Sequence, residues 1–310
     1  MTMTPSSPEV ANTPEVSRRG LFRWAGAAAI AGTTVAATGC ASSAASTSGG
    51  THVAKLFCTE SGKGRNVLFL HGWGCDGDDW IWQQPAFEQA YRTITPDLRG
   101  HGRSEVTPSG TYMPNDFVGD VEALMLSKAN GGKFVIIGHS MGGQIAARVA
   151  AKRPELVDGV VSIDGALGWE GDAVEYFRQS SAAMKASSNP AMEGIAMLGG
   201  VYAPNGDPAL KAWHSRRLQG TPAHVVREAF PPLFFGEGQV GDGPASRKFC
   251  ESLTVPVLHL TTDPNTVARM RPWFKHPKSQ VSSVEQAGHW IMQDQPKVVN
   301  AGVMAWINRL

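Results

Sequence analysis

The run Phe134-Val135-Ile136-Ile137-Gly138-His139-Ser140-Met141-Gly142-Gly143 constrains the fold of this chain more than any other stretch. It reads as a short buried strand that ends in Gly-x-Ser-x-Gly and runs directly into a helix over Gln144–Lys152. A sharp strand-to-helix turn pushes the serine side chain out of the sheet and into a cleft. Such a turn leaves room only for small residues two positions either side, a demand that Gly138 and Gly142 meet. The free N–H groups and positive dipole end of the following helix favour an oxyanion forming nearby.

Gly and Ser are common, so the motif needs company. Upstream, Asn66-Val67-Leu68-Phe69-Leu70-His71-Gly72-Trp73-Gly74 is another apolar strand, ending in His-Gly-x-Gly. Downstream, Ser283-Val284-Glu285-Gln286-Ala287-Gly288-His289-Trp290 places a histidine just after a late strand. The order is glycine-rich loop, serine, histidine. On these residues the chain resembles the α/β-hydrolase superfamily. Pro96-Asp97-Leu98-Arg99-Gly100-His101-Gly102-Arg103-Ser104 is similar to that superfamily's turn after its fourth strand. The resemblance runs over roughly residues 55–310.

Candidate strands lie at Val53–Thr59, Val67–His71, Arg92–Pro96, Phe134–Gly138, Gly159–Ile163, Val255–Leu260 and Gln280–Gln286. Several are continuous apolar runs, as suits strands buried on both faces of a mostly parallel sheet. Helices are expected at Asp116–Ala129, Gly143–Lys152 and Pro296–Leu310, the last with Val298, Val299, Val303, Met304 and Ile307 on one face. Strand and helix in alternation predict an α/β doubly wound sheet, with its site beyond the carboxyl ends of the strands. Residues 167–251 break the alternation, and their position matches where α/β-hydrolases insert a helical cap. Trp169, Tyr176, Phe177, Met184, Met192, Met197, Tyr202, Trp213, Phe230, Phe234 and Phe235 give that insertion its apolar surface. Most are expected in the cap's own core and a few against substrate.

A serine hydroxyl needs a base whose pKa lies near the working pH, which points to histidine. Of nine histidines, His71 and His139 sit inside glycine turns, and His101 in the turn after the third candidate strand. His52, His214, His224, His259 and His276 lack a strand-end glycine. Gly288-His289 occupies the place where the superfamily carries its base, which assigns Ser140 as nucleophile and His289 as general base and acid. The base needs a carboxylate to fix its tautomer. The first candidate is Asp263, in Thr261-Thr262-Asp263-Pro264-Asn265, kept extended by Pro264 at a strand end where the superfamily usually places its acid. The alternative is Asp164, in Val161-Ser162-Ile163-Asp164-Gly165, where some members carry it instead. By resemblance, the N–H groups of Trp73 and Met141 form the oxyanion hole. Asp97 reads as structural, tied to its Arg-Gly-His-Gly turn.

These residues imply a serine hydrolase acting on small to medium carboxylic esters or lactones through an acyl-enzyme. Carbon–carbon bond hydrolysis, or cofactor-free perhydrolysis with a haloperoxidase-like side activity, uses the same scaffold and stays open as an alternative. A non-enzymatic binding descendant is the third reading. A net charge of +1 gives no electrostatic case for nucleic acid. No dinucleotide fingerprint, phosphate loop or zinc spacing occurs, so no cofactor or metal is expected.

Residues 1–50 read as an export signal and a flexible tether. Ser17-Arg18-Arg19-Gly20-Leu21-Phe22-Arg23, followed by a small apolar run from Trp24 to Ala37, resembles a twin-arginine signal. An organelle presequence or a disordered tail is the alternative. Ala37-Thr38-Gly39 before Cys40 resembles a lipoprotein cleavage site, which would make Cys40 a lipid anchor. Ala37 stands where Leu is usual, and ordinary cleavage with release is the other outcome. Either route puts the enzyme in the periplasm, outside the cell or on a membrane. Cys58, Cys75 and Cys250 remain, and three thiols cannot all pair within one chain.

Overall fold

The computed structural model describes residues 52–310. The expected export signal, the lipid site at Cys40 and the tether to Gly50 lie outside these residues. Seven strands, β1 (Cys58–Ser61), β2 (Asn66–Leu70), β3 (Arg92–Pro96), β4 (Phe134–His139), β5 (Val157–Ile163), β6 (Val257–Thr261) and β7 (Gln280–Ser283), form one sheet. Its order is β1-β3-β2-β4-β5-β6-β7. Only β1 is antiparallel to its neighbour; the other pairs run parallel. The helices are α1 (Gln84–Phe87), α2 (Pro114–Lys128), α3 (Met141–Lys152), α4 (Asp172–Ala186), α5 (Pro190–Leu198) and α6 (Pro208–Gly220). They continue with α7 (Ala223–Ala229), α8 (Gly243–Ser252), α9 (Pro264–Met270), α10 (Ile291–Asp294) and α11 (Pro296–Ile307).

Side chains alternate across a strand, so the central strands feed two cores. Leu68, Leu70, Phe134 and Ile136 join Phe117, Val121, Ile145 and Val149 from α2 and α3 on one face. Val67, Phe69, Val135 and Ile137 join Trp80, Phe87, Val299, Val303 and Trp306 on the other. Each such side chain, fully buried, contributes about 1.5–3 kcal/mol. β2 and β4 are buried on both faces, so the turns leaving their carboxyl ends start from fully buried strands.

Several details differ from expectation, among them the last strand, which ends at Ser283 and not Gln286, and the last helix, which ends at Ile307 and not Leu310. The first strand runs over Cys58–Ser61, not Val53–Thr59, because its ladder pairs Cys58 with Pro96 and Ser61 with Thr93 and β3 is only five residues long. Val298 is exposed rather than on the buried stripe of α11. At 3.6 residues per turn, Val299, Val303 and Trp306 set the buried face and Val298 falls outside it.

Between β5 and β6 lies the helical insertion, in which α5 packs against α4, α6 and α7. Met184 is fully buried within it, whereas Tyr176 and Met192 are exposed. Among the described residues, Cys58, Cys75 and Cys250 form no disulfide.

Candidate active site

β4 delivers Ser140 at its carboxyl end with φ +51° and ψ −117°, a left-handed conformation rare for a residue with a side chain. The backbone around it is over-determined. Ser140 donates its N–H to Ile163 O at 3.1 Å, and its carbonyl accepts from Gly143 N at 3.0 Å and from Ala166 N at 3.0 Å. A Cβ on Gly138 would sit 2.2 Å from Gly142 O, and one on Gly142 would sit 2.2 Å from Leu70 O. The two glycines are therefore required by the closeness of turn, helix and neighbouring strand. The Ser140 hydroxyl does not cap α3, and it makes no hydrogen bond among the described residues.

His289 stands in the same cavity, on the loop between β7 and α10. Its Nδ1 is 2.6 Å from Asp164 Oδ2. Nδ1 therefore carries the proton that it donates to the carboxylate, and Nε2 is left as the basic nitrogen. The backbone of His289 is held on both sides. Its N–H is donated to Val201 O at 2.7 Å, and its carbonyl accepts from His139 Nε2 at 2.9 Å.

Of the two candidate carboxylates, the structure brings Asp164 and not Asp263 to His289. Asp263 does not contact His289. It is the N-cap of α9, where Oδ1 accepts from Asn265 N at 2.9 Å and Oδ2 from Thr266 N at 3.0 Å. The bond from the Thr266 hydroxyl, then that from Asn265 N–H, lowers its pKa. Asp164 follows β5, the strand next to β4, and it is the carboxylate that reaches His289. It sits at φ +42°, with its N–H donated to Leu260 O at 2.7 Å. The Asp263-Pro264 pair reads equally as a helix start, a capping side chain followed by proline at the first helical position, and that is the role it takes.

The loop after β2 supplies the other side of the cavity. His71 Nδ1 donates to Gly72 O at 2.8 Å and its Nε2 accepts from Leu98 N at 2.8 Å. Burial pushes the His71 pKa down, consistent with the neutral ring those two bonds require. A Cβ on Gly72 would lie 3.2 Å from Ser140 Cβ, so the loop backbone passes directly beside the serine. The N–H groups of Trp73 and Met141 are not donated to any group among the described residues. Trp73 lines the cavity with Ser140, and Met141 follows Ser140 directly at the start of α3. Asp97 accepts from Gly77 N and Arg103 N, both at 2.8 Å, and organises the turn after β3.

Two features escaped the sequence reading. His139 is fully buried and tied to the carbonyl of His289; burial, then the neighbouring His289, pushes its pKa well down. Arg217 of α6 reaches from the cap to Asp76 at 2.8 Å and to the completely buried Asp79. Burial is the largest influence on Asp79 and would raise its pKa, but the Arg217 charge and hydrogen bond, together with His214 and His139, outweigh it and hold the carboxyl at about 2. Beside this pair, His214 of α6 stacks on Trp290 at 4.0 Å and Tyr202 stacks on the same indole at 4.9 Å.

The cavity holds about 530 Å³ of empty space, its mouth included, and is walled by Trp73, Trp169, Phe177, Met197, Phe230 and Phe234 around Ser140 and His289. Chemically the arrangement places a hydroxyl and a base whose tautomer is fixed on one apolar cavity, next to two backbone N–H groups that no protein group accepts among the described residues.

Residues 67–301 match the Alpha/beta hydrolase family. The (E)-2-((N-methylformamido)methylene)succinate hydrolase of Acinetobacter baylyi is 26% identical over 258 residues, 80% of this chain and 92% of that protein. Among solved structures, a thermophilic esterase from Thermogutta terrifontis superposes with a TM-score of 0.69 at 24% identity, covering 83% of this chain and 94% of that one. The enol-lactonase from Burkholderia xenovorans superposes at 0.68 with 19% identity, covering 82% and 97%. At these identities the structural likeness bears on the fold alone.

Proposed function

The chain belongs to the alpha/beta hydrolase family, and from that premise we propose that it is a serine hydrolase that cleaves small to medium carboxylic esters or lactones through an acyl-enzyme. Ser140 attacks the carbonyl as His289 Nε2 takes its proton. Asp164 holds the imidazole by Nδ1 and stabilises the imidazolium. The N–H groups of Trp73 and Met141 bind the tetrahedral oxyanion. His289 then protonates the leaving oxygen, and a water activated by the same Nε2 releases the acid.

The observation that carries this reading is the 2.6 Å contact between His289 Nδ1 and Asp164, with Ser140 on the same cavity. An esterase and an enol-lactonase among the solved structures of the same fold are compatible with it. Carbon–carbon hydrolysis and perhydrolysis would use the same residues, and nothing in the cavity favours them. The reading includes export, with Cys40 as a lipid anchor, on the strength of the N-terminal pattern alone.

The test is turnover of p-nitrophenyl esters from acetyl to octanoyl by the full chain, with Ser140→Ala alongside. Ser140-dependent turnover is the expected result. Absence of turnover by the folded protein on esters and lactones alike overturns the reading.

A further inference from the structure

We propose that the cavity over Ser140 selects against anionic substrates: the group that enters it carries no carboxylate. This rests on the serine-hydrolase reading of the same site.

The wall supports it residue by residue. Among the described residues, no Lys or Arg lines the cavity. Among the same described residues, its titratable side chains besides the Ser140 hydroxyl are His139 and His289. His139 is buried, and its Nε2–H is already given to the His289 carbonyl. His289 has Nδ1 committed to Asp164 and needs Nε2 for the serine proton. Neither ring is free to pair with a substrate carboxylate.

The nearby cations are used elsewhere. Arg217 is no part of the cavity wall; its two terminal nitrogens are bound to Asp76 and Asp79. Arg269 borders a separate polar cavity, where it is bonded to Glu170 and to Gly168 O at 2.6 Å. The carboxylate behind the site, Asp164, has the sign that repels an anion.

What the wall does offer is hydrocarbon. Phe177 lies edge-on to Phe230 at 5.4 Å and tilted against Phe234 at 4.9 Å, while Trp169 meets Phe177 at 5.1 Å. Trp73 continues the wall against Phe230 at 5.2 Å. A carboxylate among these rings would lose its water and gain no partner, which is the costliest way to bury a charge. An alkyl or aryl group of the same shape would lose only unfavourable hydration.

The experiment uses the full chain and a matched pair: p-nitrophenyl 6-methylheptanoate and p-nitrophenyl monoadipate, which differ chiefly in replacing a terminal isopropyl group by a carboxylate. We expect kcat/KM at least about 100-fold lower for the monoadipate at pH 7.5. Recovery to within about tenfold is expected when its carboxylate is masked as the methyl ester. Comparable kcat/KM for the pair, or no recovery on masking, overturns the inference. Binding separates this failure from failure of the enzymatic reading. Trp73, Trp169 and Trp290 line the cavity, so indole fluorescence reports titration with 6-methylheptanamide against adipic acid monoamide whether or not turnover occurs. At least about tenfold weaker binding of the anion supports the inference, and equal binding sinks it.

Discussion

The N–H of His289 is donated to the carbonyl of Val201 at 2.7 Å, so the imidazole beside Ser140 is suspended from the cap as well as from the sheet. The other face of the same peptide segment is tied to the strand-end turn, through His139 Nε2 and the His289 carbonyl. Cap, turn and loop between β7 and α10 thus share one short stretch of backbone. Catalysis is sensitive to displacements of about 1 Å, and a histidine held on both sides of its backbone is pre-set against them.

The two carboxylates considered from the sequence should part company on substitution. Asp164→Asn is expected to lower kcat by about 10²- to 10⁴-fold, because an amide no longer fixes the His289 tautomer. Asp263→Ala should leave kcat within about threefold and cost about 1 kcal/mol of stability, the loss of a helix cap. Steady-state kinetics and urea unfolding of both variants decide it. A larger kinetic loss in Asp263→Ala than in Asp164→Asn would reverse the assignment.

His139 should matter through His289 rather than through substrate. Removing its donor in His139→Ala is expected to lower kcat by about 10- to 100-fold with little change in KM. His139→Gln keeps an N–H of similar reach and should restore much of the loss. A rise in KM in place of the fall in kcat would move His139 into substrate binding.

Arg217 links cap to sheet domain by charge. Arg217→Met would leave Asp79, which has no solvent exposure, without its partner. A loss of about 3–5 kcal/mol is expected, as for other buried pairs broken on one side. Adding Asp79→Asn should recover part of it. Thermal and urea unfolding of the single and double variants measure the coupling, and additivity of the two losses would show that the pair does not interact energetically.

Acid should destabilise the fold from about pH 6.5 downward. Burial lowers the His214 and His259 pKa values to about 4 and that of His101 to about 3, from an ordinary 6.5. Above 6.5 these histidines are neutral in both folded and unfolded chains, and their contribution is constant. As pH falls from 6.5 toward 4 the unfolded chain binds protons that the folded chain refuses, so stability declines. Asp79 adds a later step: its contribution is present above about 3.8 and is lost as pH falls through about 2. Urea midpoints at pH 8, 6, 5 and 4 should fall steadily after the first, and a flat profile would contradict the burial of these rings.

The elements most legible in the sequence are those whose cause is local. A serine between Gly138 and Gly142, at the end of an apolar run and the start of a helix, leaves the backbone few alternatives. The double-faced burial of β2 and β4 shows as unbroken apolar runs. Edge elements were harder. The ends of β1 depend on the length of β3, 30 residues away in the sequence, which no local pattern in the first strand encodes.

Partner choice belonged to the tertiary structure. Asp164 and Asp263 both follow apolar strands, and spacing alone does not rank them. The folded contacts do: Asp164 turns Oδ2 to His289, while Asp263 turns its oxygens onto its own helix. The same holds for Arg217 with Asp79, 138 residues apart, and for His139 with His289, 150 apart. The sequence by itself determined which backbone turns could form and which side chains had the chemistry to act. Which of those side chains met was decided by packing, because a hydrogen bond or ion pair across the chain exists only where the folded strands and cap bring its two ends within about 3 Å.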